Sequence, residues 1–180
     1  MTSWVFVTGN DSKHREAEAI LGRPLDRAVL DLPELQAATT RDVALHKARA
    51  AFAMLDRPVI VEDAGFELTG LGGFPGPFIK YWEQLGGLIS ICRAADGLAH
   101  RGVIATCVLG ICDQEGPRVV EGRIEGMVSA APRGSNGFGW DAIFIPDGHD
   151  RTFGEMSADE KASMSHRRRA WDALAAELAH

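Results

Sequence analysis

Glu62 and Asp63 stand side by side where the apolar run Val59-Ile60-Val61 gives way to a stretch holding Gly65, Gly70, Gly72, Gly73 and Gly76. In open α/β sheets ligands bind beyond the carboxyl ends of the strands. A carboxylate placed there can hold Mg²⁺, which takes one or two carboxylates and leaves its other positions to water and phosphate. Successive strand residues point to opposite faces, so the two acids are not expected to share one job. On the residues alone an acidic pair at a strand end is equally a solvated turn. Lys80, beyond the glycines, is by itself an ordinary surface lysine. A second group is Thr8-Gly9-Asn10-Asp11-Ser12-Lys13. Gly9 permits a backbone angle that other residues avoid, and Asn10 or Asp11 can cap a helix. The free N–H groups of that helix start would suit an anion, and Lys13, one turn in, reaches the same place. The alternative is a capped helix with a solvated lysine. It is not a P-loop, because the second glycine and the Lys-Ser/Thr pair are absent.

Two later stretches add further chemistry. Phe138 and Trp140 lie among four glycines of the segment 131–148. They offer either faces for stacking on a flat heterocycle or plugs for the core. Lys161 precedes Ser165-His166-Arg167-Arg168-Arg169. Arginine donates through a rigid fork that suits phosphate or carbonyl oxygens, and the backbone of a helix start adds donors. Otherwise the same residues are the basic face of an amphipathic helix.

The elements that must carry these groups alternate. Runs rich in β-branched and aromatic residues predict strands over 4–8, 59–62, 103–112, 119–128 and 142–145, with a weak one over 25–30. Ala17, Ile20 and Leu21 make one face of a first helix. Ala44, Ala48, Ala51, Phe52 and Leu55 make a second stripe over 41–55 after a Thr40 cap. Short helices are expected over 78–85 and 88–94, and a capping box at Ser157-Ala158-Asp159-Glu160. The last helix starts near Ser165 and is expected to bury Trp171, Leu174, Ala175 and Leu178. This order suggests one α/β domain, residues 1–180, with a mixed sheet.

Composition narrows the function. A chain of 180 residues, 46% hydrophobic and 24% charged, suits one soluble globular domain. A formal charge of −6 argues against general nucleic-acid binding, though not against a small anion held by local cations or a metal. Cys92, Cys107 and Cys112 lack CxxC spacing and cannot all pair, and the apolar neighbours of Cys107 and Cys112 suggest buried thiols in a reduced compartment. Met1-Thr2-Ser3 lacks the charged start of a leader, and the apolar stretch 102–112 is too short to span a bilayer. A cytoplasmic protein without membrane partners is expected.

Five separated segments resemble the inosine triphosphate pyrophosphatase family: VTGNDSKHREAEAIL, DLPELQ, VIVEDAGFELTGLGGFPGPFIKYW, SNGFGWDAIFIPDGHDRTFGEM and EKASMSHRRRAW. They follow the family's order over nearly the whole chain. The resemblance implies a long, curved mixed sheet with flanking helices and two lobes with a nucleotide cleft between them. It implies a homodimer, a need for Mg²⁺, and hydrolysis of ITP, dITP or XTP to the monophosphate and pyrophosphate. Carried over, Thr8, Gly9, Asn10, Asp11, Ser12 and Lys13 look like a triphosphate cradle. Glu34 and Asp63 look like the metal-binding carboxylates, with Asp63, next to Ala64, also the candidate general base. Lys47 and Lys80 look like further phosphate partners. Phe138, Gly139, Trp140 and Asp141, with Lys161, His166 and Arg167, look like the nucleoside pocket. Ala142 and Ala162 depart from the residues, Pro and Asn, that many members carry there. Two other readings are a Maf-like pyrophosphatase of other nucleotides, against which the FGWD and SHR segments count, and a nucleotide-sensing module without turnover.

Overall fold

A computed structural model describes residues 4–179. Residues 1–3, on which the leader argument rests, lie outside the described residues. Seven strands form one mixed sheet: β1 (Val5–Val7), β2 (Arg27–Ala28), β3 (Val59–Leu68), β4 (Pro75–Gly76), β5 (Gly102–Asp113), β6 (Gly116–Val128) and β7 (Phe144–Pro146). Their order is β2-β1-β3-β5-β6-β7, with β4 paired to β3. β1 runs parallel to β2 and β3, and the β3–β5, β5–β6, β6–β7 and β3–β4 pairs are antiparallel. Five α-helices flank the sheet: α1 (Asp11–Leu21), α2 (Thr40–Leu55), α3 (Ile79–Asp96), α4 (Ala158–Met164) and α5 (His166–Glu177).

The central strand differs from expectation where it matters most. Glu62 and Asp63 do not end β3. The strand continues for five residues through Gly65, because ten matched pairs with β5 hold it and Phe66 and Leu68 are buried on it. Gly65 is required there: a side chain at that position would meet the Thr40 hydroxyl oxygen at 2.5 Å. Residues 142–143, expected as strand, belong to a 3₁₀ turn over Gly139–Ile143 that precedes β7. Thr39, not Thr40, caps α2. The two short helices expected over 78–94 form α3, broken at Gly87, whose φ of 69° no helix accommodates. Ala175 and Leu178 are exposed rather than buried.

Alternation along β3 divides the interior. Ile60, Phe66 and Leu68 point to one face, into two apolar clusters. One contains Trp140, Phe144 and Phe153, and the other Phe6, Trp171 and Leu174. Val59 and Val61 point to the other face and pack with Ala48 and Ala51 of α2. Glu62 and Asp63 inherit this alternation, one on each face. Cys107 and Cys112 are buried free thiols, as expected, and Cys92 is buried as well. Among the described residues no helix is long and apolar enough to cross a membrane.

Candidate active site

One cleft of about 650 Å³ gathers most of the expected residues: Thr8, Gly9, Asn10, Lys13, Glu34, Lys47, Asp63, Ala64, Lys80, Phe138, Gly139, Trp140, Asp141, His166 and Arg167. Three do not line it. Asp11 pairs with Arg27 at 2.6 Å instead. Ser12 and Lys13 give their backbone N–H groups to the Asn10 side chain at 2.9 and 3.1 Å, so these amides of the first turn are not free for an anion. Lys161 is 4% exposed and lies beneath the cleft.

On the α2 face, Asp63 Oδ1 accepts from Lys47 Nζ at 2.8 Å. The same ammonium lies 3.9 Å from Glu34 Oε1, and Lys80 Nζ is 3.2 Å from that oxygen. Two carboxylates and two lysines therefore converge from α2, β3, α3 and the irregular segment 29–39. Tyr81, which sequence reasoning missed, donates its hydroxyl to Glu34 Oε2. That bond, with burial opposing it and Lys80 assisting, holds the Glu34 carboxyl below its ordinary value.

The other face of β3 carries a buried ion network. Arg167 grips Glu62 through Nε at 3.0 Å and Nη2 at 2.9 Å, and its Nη1 reaches Glu16. Lys13 Nζ lies 3.3 Å from Glu62 Oε1. Glu16 turns its other oxygen to Lys161 at 2.7 Å, and Lys161 pairs with Asp141 at 2.6 Å. Asp141 also accepts from the Phe138 N–H at 2.8 Å, so the network ends on the loop that carries the aromatic ring. Burial alone would raise the Glu62 carboxyl, but the charges of Arg167 and Lys13 outweigh it and hold it down at about 2. For Asp141 burial wins over Lys161 and the carboxyl is raised.

These contacts correct several expectations. Arg167 is not an uncommitted donor facing a base: at least three of its five N–H groups are engaged by carboxylates. Lys161 and the carboxylate of Asp141 likewise serve each other. Trp140 is 7% exposed and packs on Phe66 and Phe144 at centroid distances of 5.0 and 5.7 Å, so it is a core plug at the cleft wall. Phe138 keeps a half-buried ring, with Lys161 Nζ 4.9 Å and Arg167 Cζ 5.2 Å from its centroid. His166 lines the cleft fully buried, and neither ring nitrogen finds a hydrogen-bond partner among the described residues. Burial, with Arg167 and Lys161 nearby, pushes its imidazole well below the ordinary value, so it is neutral.

Fold and cleft together define a class: a mixed-sheet α/β protein with a lysine- and carboxylate-lined cleft between two sections of its core. The chain belongs to the Ham1 family, whose model matches residues 4–177. It is 42% identical to an inosine triphosphate pyrophosphatase of Batrachochytrium dendrobatidis over 94% of this chain and 90% of the relative. A dITP/XTP pyrophosphatase of Methanopyrus kandleri is 40% identical over 95% and 93%. A HAM1 protein structure from Coxiella burnetii superposes with a TM-score of 0.84 at 27% identity, covering 99% of both chains.

Proposed function

We propose that this chain hydrolyses ITP, dITP and XTP to the nucleoside monophosphate and pyrophosphate, removing deaminated purines from the nucleotide pool of the cytoplasm. The observation that carries the reading is one cleft lined by Lys13, Lys47 and Lys80, by Asp63 and Glu34, and by Phe138. The names of the family relatives agree, and none of those cited favours the Maf-like alternative. The three lysines are the cations for a triphosphate on a protein whose net charge is −6.

The residues fit a Mg²⁺ ion. Among the described residues no three His, Cys, Asp or Glu side chains cluster as a complete cage. Asp63 and Glu34 nonetheless both face the Lys47 ammonium, and two carboxylates suffice where phosphate and water complete the shell. Mg²⁺ held there would neutralise phosphate charge. Asp63 accepts the proton of the attacking water from a rigid strand, and Lys47 fixes the carboxylate that does so. Water adds to phosphorus as the linkage to the departing pyrophosphate breaks. A homodimer completes the proposal, and sedimentation at micromolar concentration showing only monomer would reject that part. The whole is tested by incubating the protein with ITP, XTP, ATP and GTP plus Mg²⁺. Monophosphate and pyrophosphate should appear fastest from ITP and XTP, and equal rates for ATP would overturn the substrate assignment.

His166 is the free polar group of the base pocket. A neutral imidazole offers one N–H, which suits a 6-oxo purine, whereas adenine would set its own 6-amino donor against it. His166→Phe keeps an aromatic ring between Trp140 and Phe153 but removes that donor. A hydrogen bond nets about 1 kcal/mol, so the ITP-to-ATP ratio of kcat/KM should fall roughly fivefold. An unchanged ratio would exclude His166 from reading the base.

A further inference from the structure

Glu34 poses a problem of placement. It sits in the irregular segment 29–39, and its side chain is 43% exposed. Neither regular backbone nor packing fixes the rotation of its carboxylate. Two contacts from α3 sort its oxygens: the Tyr81 hydroxyl donates to Oε2, and Oε1 is left to Lys80 at 3.2 Å. Oε1 is also the oxygen that the Lys47 ammonium approaches at 3.9 Å, and Lys47 is the partner of Asp63. One oxygen is thus held by the helix and the other is turned toward the Asp63 side of the cleft.

We propose that Tyr81 is a positioning residue, whose hydroxyl orients the Glu34 carboxylate so that Oε1 and Asp63 face one divalent cation. The inference rests on the reading of Glu34 and Asp63 as cation-holding carboxylates. The two α3 contacts differ in kind. Lys80 is itself a cation on the oxygen that the metal would take, so it competes. Tyr81 is uncharged and bonds the opposite oxygen, so its bond survives when a cation sits on Oε1. Its ring lies on a helix, which makes it a firmer support than the segment that carries Glu34. Removing the partner that orients a metal ligand typically costs ~10–100-fold in metal affinity.

The test is binding of Mn²⁺ alone, read as loss of the free-ion electron paramagnetic resonance signal, on the wild-type protein and three variants. Tyr81→Phe removes one oxygen from a 44% exposed ring, so melting temperature should not move. Mn²⁺ affinity should fall about 10-fold in Tyr81→Phe and equally in Tyr81→Ala, and by more in Glu34→Gln. Amide exchange across 31–36 should accelerate in both Tyr81 variants. If Tyr81→Phe binds Mn²⁺ like the wild type while Glu34→Gln binds weakly, the positioning role is overturned and the metal reading stands. If Glu34→Gln also binds like the wild type, the metal reading fails and takes this inference with it. If only Tyr81→Ala weakens binding, the ring's packing matters and the hydroxyl does not.

Discussion

Asp63→Asn should fold like the parent and turn over ITP ~10²–10⁴-fold more slowly. Loss of a general base, the role proposed for Asp63, costs that much by itself, and the same change would weaken the proposed metal contact. The fold is expected to survive because Asp63 is half-buried at the cleft and not in an apolar cluster. An asparagine also fills the same volume and still accepts from Lys47 through its carbonyl. Single-turnover measurement at saturating ITP and Mg²⁺ separates slower chemistry from weaker binding. Near-normal turnover in a protein with unchanged melting temperature would remove Asp63 from the mechanism.

Arg167→Ala should act first on stability. The guanidinium is 2% exposed and holds Glu62, whose side chain has no exposure at all. Removing one partner of a buried ion pair typically costs ~3–5 kcal/mol, because the other charge stays behind without compensation. In a domain of this size that is a fall of roughly 10 °C in melting temperature. Lys13 remains near Glu62, so unfolding is expected to stay cooperative. A melting temperature within 2 °C or so of the parent, well below the change expected from a lost buried pair, would show that water reaches Glu62 freely. Acid should expose the same network. Glu62 titrates at about 2 in the folded protein against an ordinary 4.5. Its depressed value means that its stabilisation is complete above 4.5 and is lost as the pH falls toward 2. Asp141 works in the opposite sense: burial raises its carboxyl, so its protonation favours the fold until the pH passes below 3.8. Thermal melts between pH 7 and 3 should therefore decline steeply only below about 4.5, and a flat profile there would contradict the assignment.

The sequence carried the outline of this architecture in its local patterns. The opposite faces of Glu62 and Asp63 followed from the period of a strand, and the two helices expected over 78–85 and 88–94 flank the break of α3 at Gly87. What local pattern could not carry was set at long range. Gly65 and the glycines after it read as a loop, yet the ladder with β5 overrides their weak strand preference as far as Leu68. Arg167 read as a donor for a ligand because its partners lie 105 and 151 residues away. Tyr81 was invisible for the same reason, 47 residues from Glu34. Trp140 read equally as stacking platform or plug. Only the positions of Phe66 and Phe144 decided between them.

The network beneath the cleft also bears on how the chain is made. Glu16 and Glu62 are synthesised long before Lys161 and Arg167, which follow them by 145 and 105 residues. Until those residues arrive, Lys13 is the only cation of the network available to either acid, and two unneutralised carboxylates keep their surroundings hydrated. Until α5 docks, Glu62 and Glu16 lack the guanidinium that pairs with both of them. When α5 docks, it delivers Trp171 and Leu174 to the apolar cluster around Phe6 and Arg167 to Glu62 in the same movement. Closure of the core around Phe6 and completion of the Glu62 network are then a single event. A chain truncated before α5 would retain Asp63, Glu34, Lys47 and Lys80 but lose Arg167 beside Glu62 and part of its interior.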